Sequence, residues 1–204
     1  PSGLSQVGLR HPMIIHGTQR LIIRDWKDDD RALFHDINTD PEVMAFFSMR
    51  RSLDESNAMM DRINDMIRST GYGFYALENR DTGETIGFCG VAPVTVDGVF
   101  APGTMEIGWR LARRPWGQGF VTEAGKALLS LCFDDRQLPE IVSFAVADNH
   151  RSTAVMKRIG LIRDPARDFD HPRVPDDQPH LKPHVTYAMG LAQWKDLHRQ
   201  PGLD

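Results

Sequence analysis

The sequence predicts a mixed α/β domain, one layer of sheet flanked by helices. Three observations carry this. Helical patterns come first, a run of strands follows, and the chain then alternates strand and helix before a last strand. Each kind of element shows its own apolar spacing, about 3.6 residues for helices and 2 for strands. The 204 residues amount to one domain, and 41% hydrophobic residues supply its core.

Taken in order, Pro1–Thr18 has no period and reads as an arm or frayed end. Arg20–Trp26 is apolar and β-branched enough for a strand. Asp28–Asp30 supply cap and first-turn acids for a helix through about Ile37. Asp40-Pro41 predicts a short second helix over Pro41–Phe47, with Pro at the first helical position. Ser52 and Glu55 form a capping box ahead of an amphipathic stripe of Met59, Ile63, Met66 and Ile67 that ends by Gly71. The period then turns extended. Phe74–Glu78, an Asp81/Gly83 turn and Thr85–Val96 read as a hairpin, and Met105–Leu111 as the next strand. Thr122–Phe133 is a helix, Ile141–Ala147 a strand, and Asn149–Ile159 a helix stopped by Gly160. Leu161 opens an extended stretch, Asp164–Pro183 is a proline-containing loop, Val185–Met189 a closing strand, and a short helix starts near Gln193. The expected division is an arm over 1–17, a domain over 18–192, and a C-terminal helix and tail over 193–204.

Charge excludes some classes. Twenty-four Lys and Arg against 28 Asp and Glu leave −4, whereas a nucleic-acid binder carries a basic surplus or face. No apolar run approaches the ~20 residues of a membrane span. Cys89 and Cys132 lie in apolar runs and cannot make a secreted disulfide framework. Pro1–Met13 lacks the charged-then-apolar order of a signal peptide, so the expectation is a cytoplasmic protein with no nucleic-acid or membrane partner. Any anionic ligand must be held by local features.

Such features occur in Met105–Gly125, where a strand runs into a Gly-rich turn that opens a helix. Gly117 and Gly119 let backbone approach a ligand without a Cβ in the way, and free amides at a helix mouth suit phosphate oxygens. No Gly-Lys-Ser/Thr follows, and Thr122 stands where a dinucleotide fingerprint wants Gly or Ala. A ligand-free tight connection is the alternative. A second mouth, Ala147-Asp148-Asn149-His150-Arg151-Ser152, also follows a strand, with Asn149 and Ser152 three apart. Here the alternative is a plain N-cap. Two such mouths with Arg113, Arg114, Arg151, Lys157 and Arg158 around them point to an elongated anion.

These residues resemble the GCN5-related N-acetyltransferase (GNAT) superfamily, whose Gln/Arg-x-x-Gly-x-Gly/Ala signature is matched by Arg114, Gly117 and Gly119. Thr18–Trp26 is similar to the family's first strand and NHRSTAVMKRIGL to its second acetyl-CoA segment. Asp168–His171 with His184–Tyr187 resembles a bacterial subgroup related to ribosomal-protein alanine N-acetyltransferases. The resemblance spans about residues 18–192. It implies a mostly antiparallel sheet of six to seven strands splayed between the fourth and fifth, here Met105–Leu111 and Ile141–Ala147, with acetyl-CoA in the opening.

On that resemblance, backbone near Leu111 and Ala112 would pair with the pantetheine, and the amides of Trp116, Gly117, Gln118, Gly119 and Phe120 would cradle the pyrophosphate. Arg114 belongs to the same loop; Arg113, Arg151 and Arg158 are candidates for the 3′-phosphate. Asn149 would bond the pantetheine arm and Ser152 would sit near the sulfur. The implied activity is transfer of an acetyl group to a primary amine, a peptide N-terminus or a small molecule, by direct attack in a ternary complex. Glu106 is the expected base, through water, and Ser152 stands in for the tyrosine that many relatives use as acid. A Glu106–Arg110 ion pair on the sheet surface is the alternative for Glu106. Phe169, His171 and Tyr187, with Trp26, Phe46 and Phe47, are candidate walls for the acceptor, and Asp168, Asp170, Asp176 and Asp177 could attract its charge.

No metal is expected: His171, His180 and His184 have metal-like spacing but no complete ligand set. Cys89 lacks a partner His, and no Gly-x-Ser-x-Gly occurs. The competing function is a catalytically weak CoA-binding regulatory or interaction module of the same fold. The subgroup resemblance is compatible with a homodimer.

Overall fold

A computed structural model describes residues 11–198; residues 1–10 of the expected arm and 199–204 of the expected tail lie outside the described residues. The strands are β1 (Ile14–Gly17), β2 (Leu21–Arg24), β3 (Gly73–Asn79), β4 (Thr85–Pro93), β5 (Met105–Leu111), β6 (Glu140–Val146), β7 (Ile162–Arg163), β8 (Phe169–Asp170) and β9 (Pro183–Gly190). The helices are α1 (Arg31–Ile37), α2 (Leu53–Thr70), α3 (Phe120–Ser130), α4 (His150–Arg158) and α5 (Leu191–His198). The sheet runs β1-β2-β3-β4-β5-β6-β9-β7, with β8 on β9. Its neighbours are antiparallel except β5 and β6. The mixed fold is as expected; the extra strands are the short pieces β1, β7 and β8, which no period could mark.

The capping box of α2 forms, Ser52 Oγ accepting from the Glu55 amide and Glu55 from the Ser52 amide. The helix expected over Pro41–Phe47 does not form. Asp40 caps Glu42 and Val43 at 2.8 and 3.2 Å, but only isolated turns follow. Val43, Phe46 and Phe47 are poor helix formers, and so short a run gives little to offset them. The expected arm is also corrected at its end, since Ile14–Gly17 pairs with β2. Helix α1 packs on β4 through Phe34 and Phe88, and α3 covers the other face.

The feature that positions a site is the β5–β6 pair. These parallel strands pair only at Met105–Ile141 and Glu106–Val142. One residue on, Ser143 Oγ donates to the Ile107 carbonyl at 2.8 Å, taking an acceptor that the ladder has left. Beyond this point the strands part, as expected, and open a fork toward the N-termini of α3 and α4.

Candidate active site

The fork has one open backbone edge. The Ala112 amide donates to the Ile86 carbonyl at 3.0 Å, so the even-numbered residues of β5 turn their polar groups toward β4. Trp109 and Leu111 therefore face the opening. The Leu111 carbonyl takes the Trp116 indole N–H at 3.2 Å, which leaves the Leu111 amide and both polar groups of Trp109. This corrects the expectation for Ala112, whose N–H is spent on the sheet.

At the first mouth Gly117 and Gly119 have φ of 75° and 78°, the left-handed region that costs a side-chain-bearing residue about 1–2 kcal/mol. This folds the loop so that the amides of Gly117, Gln118, Gly119 and Phe120 donate to none of the described residues. The Trp116 amide is excluded from that cradle, since it donates to the Arg113 carbonyl at 3.0 Å. The loop is held from below by Arg20, which sequence reasoning missed. Its Nη1 donates to the Gln118 carbonyl at 2.9 Å, its Nε to Glu123 at 2.6 Å, and its guanidinium covers Phe120 at 4.3 Å. Thr18 Oγ1 adds a 2.6 Å bond to Glu123. Only an Arg at a strand start and a Glu in the first turn of α3 signalled this clamp.

The arginines can now be separated. Arg113 is paired with Asp40 at 3.0 Å and with Glu42, so it is a poor phosphate partner. Arg158 lies in the last turn of α4, about 12 Å along the axis from the mouth. Arg114 is exposed and makes no ion pair with the described residues, and Arg151 lies over the Trp116 ring at 3.8 Å, linking the two mouths. At the second mouth Asn149 caps α4, its Oδ1 accepting from the Ser152 amide at 3.2 Å. The Asn149 side-chain Nδ2 and the Ser152 hydroxyl have no bond to the described residues.

Glu106, Gly108 and Arg110 share the other face of β5 from Ile107 and Trp109. Glu106 is half-buried and accepts no hydrogen bond from the described residues. Burial pushes its carboxyl up to about 7, against a smaller pull from Arg173. Arg110 does not pair with it. Its guanidinium bonds Asn38 and lies between the rings of Phe47, at 4.2 Å, and Phe88, at 5.4 Å. Burial, with Arg51 and Arg50 nearby, lowers its pKa to about 10. Over this face the 171–182 loop reaches two others, Arg173 donating to the Thr95 carbonyl at 2.6 Å and Gln178 to Ser48 at 3.5 Å.

Phe169 and His171 lie on this side, with rings 6.0 Å apart. Tyr187 does not: it pairs with Ser143 and points to the opposite face, and Trp26 is buried against Phe34 and Phe88. His171 and His184 are neutral, burial first and then His184 and Arg173 pushing His171 down to about 4, and burial lowering His184. Among the described residues no three His, Cys, Asp or Glu are placed to hold a metal ion. Burial pushes the Cys89 thiol far up, which leaves it inert.

The parts fit acetyl-CoA: an open strand edge for amides, unpaired N–H groups at a positive helix end for phosphates, and free cations beside them. A sequence model described as an acetyltransferase (GNAT) domain matches residues 20–162. The Bacillus subtilis (strain 168) protein YkkB is 30% identical over 145 residues, 71% of this chain and 83% of that one. An Agrobacterium tumefaciens str. C58 acetyltransferase superposes with a TM-score of 0.68 at 25% identity, covering 85% of this chain and 92% of its own. The Vibrio fischeri ribosomal-protein-S5-alanine acetyltransferase has the same score at 13% identity, over 88% and 98%, a likeness of fold alone. With the family domain matched from β2 through α4, this chain belongs to the GNAT acetyltransferase family.

Proposed function

We propose that the protein is an N-acetyltransferase that moves the acetyl group of acetyl-CoA to a primary amine within a ternary complex. The observation that carries this is Glu106, a half-buried carboxyl on the face of β5 beside the fork that accepts no hydrogen bond from the described residues. Acetyl-CoA supplies an activated thioester, so orienting an amine beside it provides much of the rate. Trp109 and Leu111 hold the pantetheine edge; Gly117 to Phe120, with Arg114 and Arg151, hold the phosphates; Asn149 Nδ2 bonds the arm. Glu106 takes one proton of the incoming ammonium, through a water, and the neutral amine attacks the thioester carbonyl. As the C–N bond forms and the C–S bond breaks, the Ser152 hydroxyl gives its proton to the departing sulfur and regains one from the nitrogen. The Vibrio fischeri neighbour's named acceptor, a ribosomal-protein alanine, supports an α-amine as one acceptor class. We place the reaction in the cytoplasm; no helix among the described residues is long and apolar enough to cross a membrane. The test is thiol release from acetyl-CoA with N-terminal peptides, polyamines, aminoglycosides and amino acids. Release with at least one acceptor is expected. Tight CoA binding with no release above hydrolysis would instead make the fold a binding module.

A further inference from the structure

Past the end of β6 and beside the start of β9 lies an open cavity of about 420 Å³, lined by Ala147, residues 168–170 and residues 183–185. Its volume is in the range of small-molecule sites, ~300–1,000 Å³. Ala147 follows the end of β6 and stands two residues before Asn149, so the cavity adjoins the second mouth.

Its walls are prebuilt. Phe169 and His184 stack at 5.3 Å, and Phe144 and Phe100 brace Phe169 edge-on at 5.3 and 5.6 Å. Its polar side chains are acceptors. His184 Nδ1 lies 2.8 Å from the Lys182 carbonyl, so that nitrogen carries the proton and Nε2 offers a lone pair. Asp168 is used up: Arg163 grips both of its oxygens, and the Thr186 amide adds a 2.9 Å bond. Asp170 receives no hydrogen bond or ion pair from the described residues. The cavity therefore presents one unmatched negative charge, one lone pair and an aromatic–aliphatic wall.

We propose that this cavity is where the acceptor first docks and that it takes a monocationic amine on an apolar or aromatic skeleton, with Asp170 as counter-ion until the ammonium passes on to Glu106, and with Phe169 and His184 against the carbon frame. The proposal rests on the transferase reading for its purpose and on the cavity alone for its chemistry. A polyamine would bring further charges that no second free carboxylate in the cavity meets, and an aminoglycoside would set hydroxyls against the rings. An anion would face Asp170.

Binding tests this directly. The full chain is titrated calorimetrically with phenethylamine, 2-phenylethanol, phenylacetate and spermidine, with and without saturating CoA. Phenethylamine is expected to bind about tenfold or more tighter than the other three, a ratio equal to one charge-assisted bond. Asp170→Asn, at an exposed position that leaves the fold intact, should raise the phenethylamine Kd about tenfold and leave the Kd for 2-phenylethanol and CoA unchanged. Phe169→Leu, which keeps apolar bulk, should weaken phenethylamine more than butylamine. Equal affinity for the alcohol, indifference to Asp170→Asn, tighter spermidine, or no amine binding would each overturn the proposal. Failure to bind CoA would defeat the transferase reading, and the amine titration without CoA would still decide the cavity.

Discussion

At the residue scale, Glu106 makes the sharpest claims. With its carboxyl raised to about 7, a base at this position works in its ionised form, so turnover should climb as pH rises through about 7. Glu106→Gln should remove that limb and lower kcat by about 10²–10⁴-fold, with little change in acetyl-CoA affinity. The same shift has a stability sign. A folded-state pKa above the unfolded value near 4.5 means that the neutral form is favoured in the fold, fully below pH 4.5 and less so as pH rises through 7. Glu106→Gln should therefore unfold at higher denaturant than the parent at pH 8, by on the order of 1–3 kcal/mol, with the gap closing toward pH 4. A constant gap, or a parent more stable at pH 8, would remove the buried-base assignment. Ser152 is weaker ground, because a hydroxyl is a poor acid. Ser152→Ala is expected to lower kcat about ten- to a hundredfold with the acetyl-CoA Kd held, and near-normal turnover would reject its role as acid.

At the element scale the phosphate loop is a geometry before it is a chemistry. A Cβ on Gly117 would meet nothing within 4 Å, so what forbids it is the left-handed backbone. Gly117→Ala should leave the sheet intact, cost about 1–2 kcal/mol, and weaken acetyl-CoA at least tenfold because the amides turn away. Melting and CoA titration separate the two effects; an unchanged Kd would mean that the cradle is misassigned. This loop was legible because left-handed turns leave glycines in sequence and helix caps leave Ser52, Glu55 and Asn149. The acceptor side was not. Which residues overhang Glu106 depends on a 171–182 loop anchored by long-range bonds from Arg173 to Thr95 and from Gln178 to Ser48, and such contacts have no local period. Tyr187 shows the difficulty: the ladder with Ser143 decides its face, and that register cannot be counted from the sequence. The Ala112 amide is taken by Ile86 across the sheet and the Trp116 amide by Arg113 in the loop's own turn, pairings that no local spacing reveals.

For the whole molecule, the question is what keeps the acceptor side fixed against the cofactor side. The N-terminal half is tied to the sheet by Arg24, 2% exposed, which bonds Asp30 through two nitrogens at 2.8 and 3.2 Å and Glu78 at 2.7 Å. Thr85 adds a 2.6 Å bond to Asp30, so β2, β3, β4 and the turn before α1 converge on one buried charge group. From that turn α1 leads to Asn38 and then Phe47, the residues that hold Arg110 beside the fork. Burial works against ionised Asp30, yet the bonds from Arg24, Thr85 and the Lys27 amide prevail and hold its carboxyl below the usual range; Glu78 is lowered likewise by Lys27 and Arg24. Depressed carboxylates stabilise above their ordinary pKa and lose that contribution as pH falls through the lowered values. Arg24→Met would strand Asp30 in the interior, and its cost at pH 7 should be about 3–5 kcal/mol. Without its cation the Asp30 carboxyl rises and is readily protonated, so the variant is relieved by acid where the parent is harmed. Urea unfolding at pH 7 and pH 3.5 should therefore show a gap that narrows in acid, and an equal gap at both would mean that Arg24 contributes by packing and not by charge.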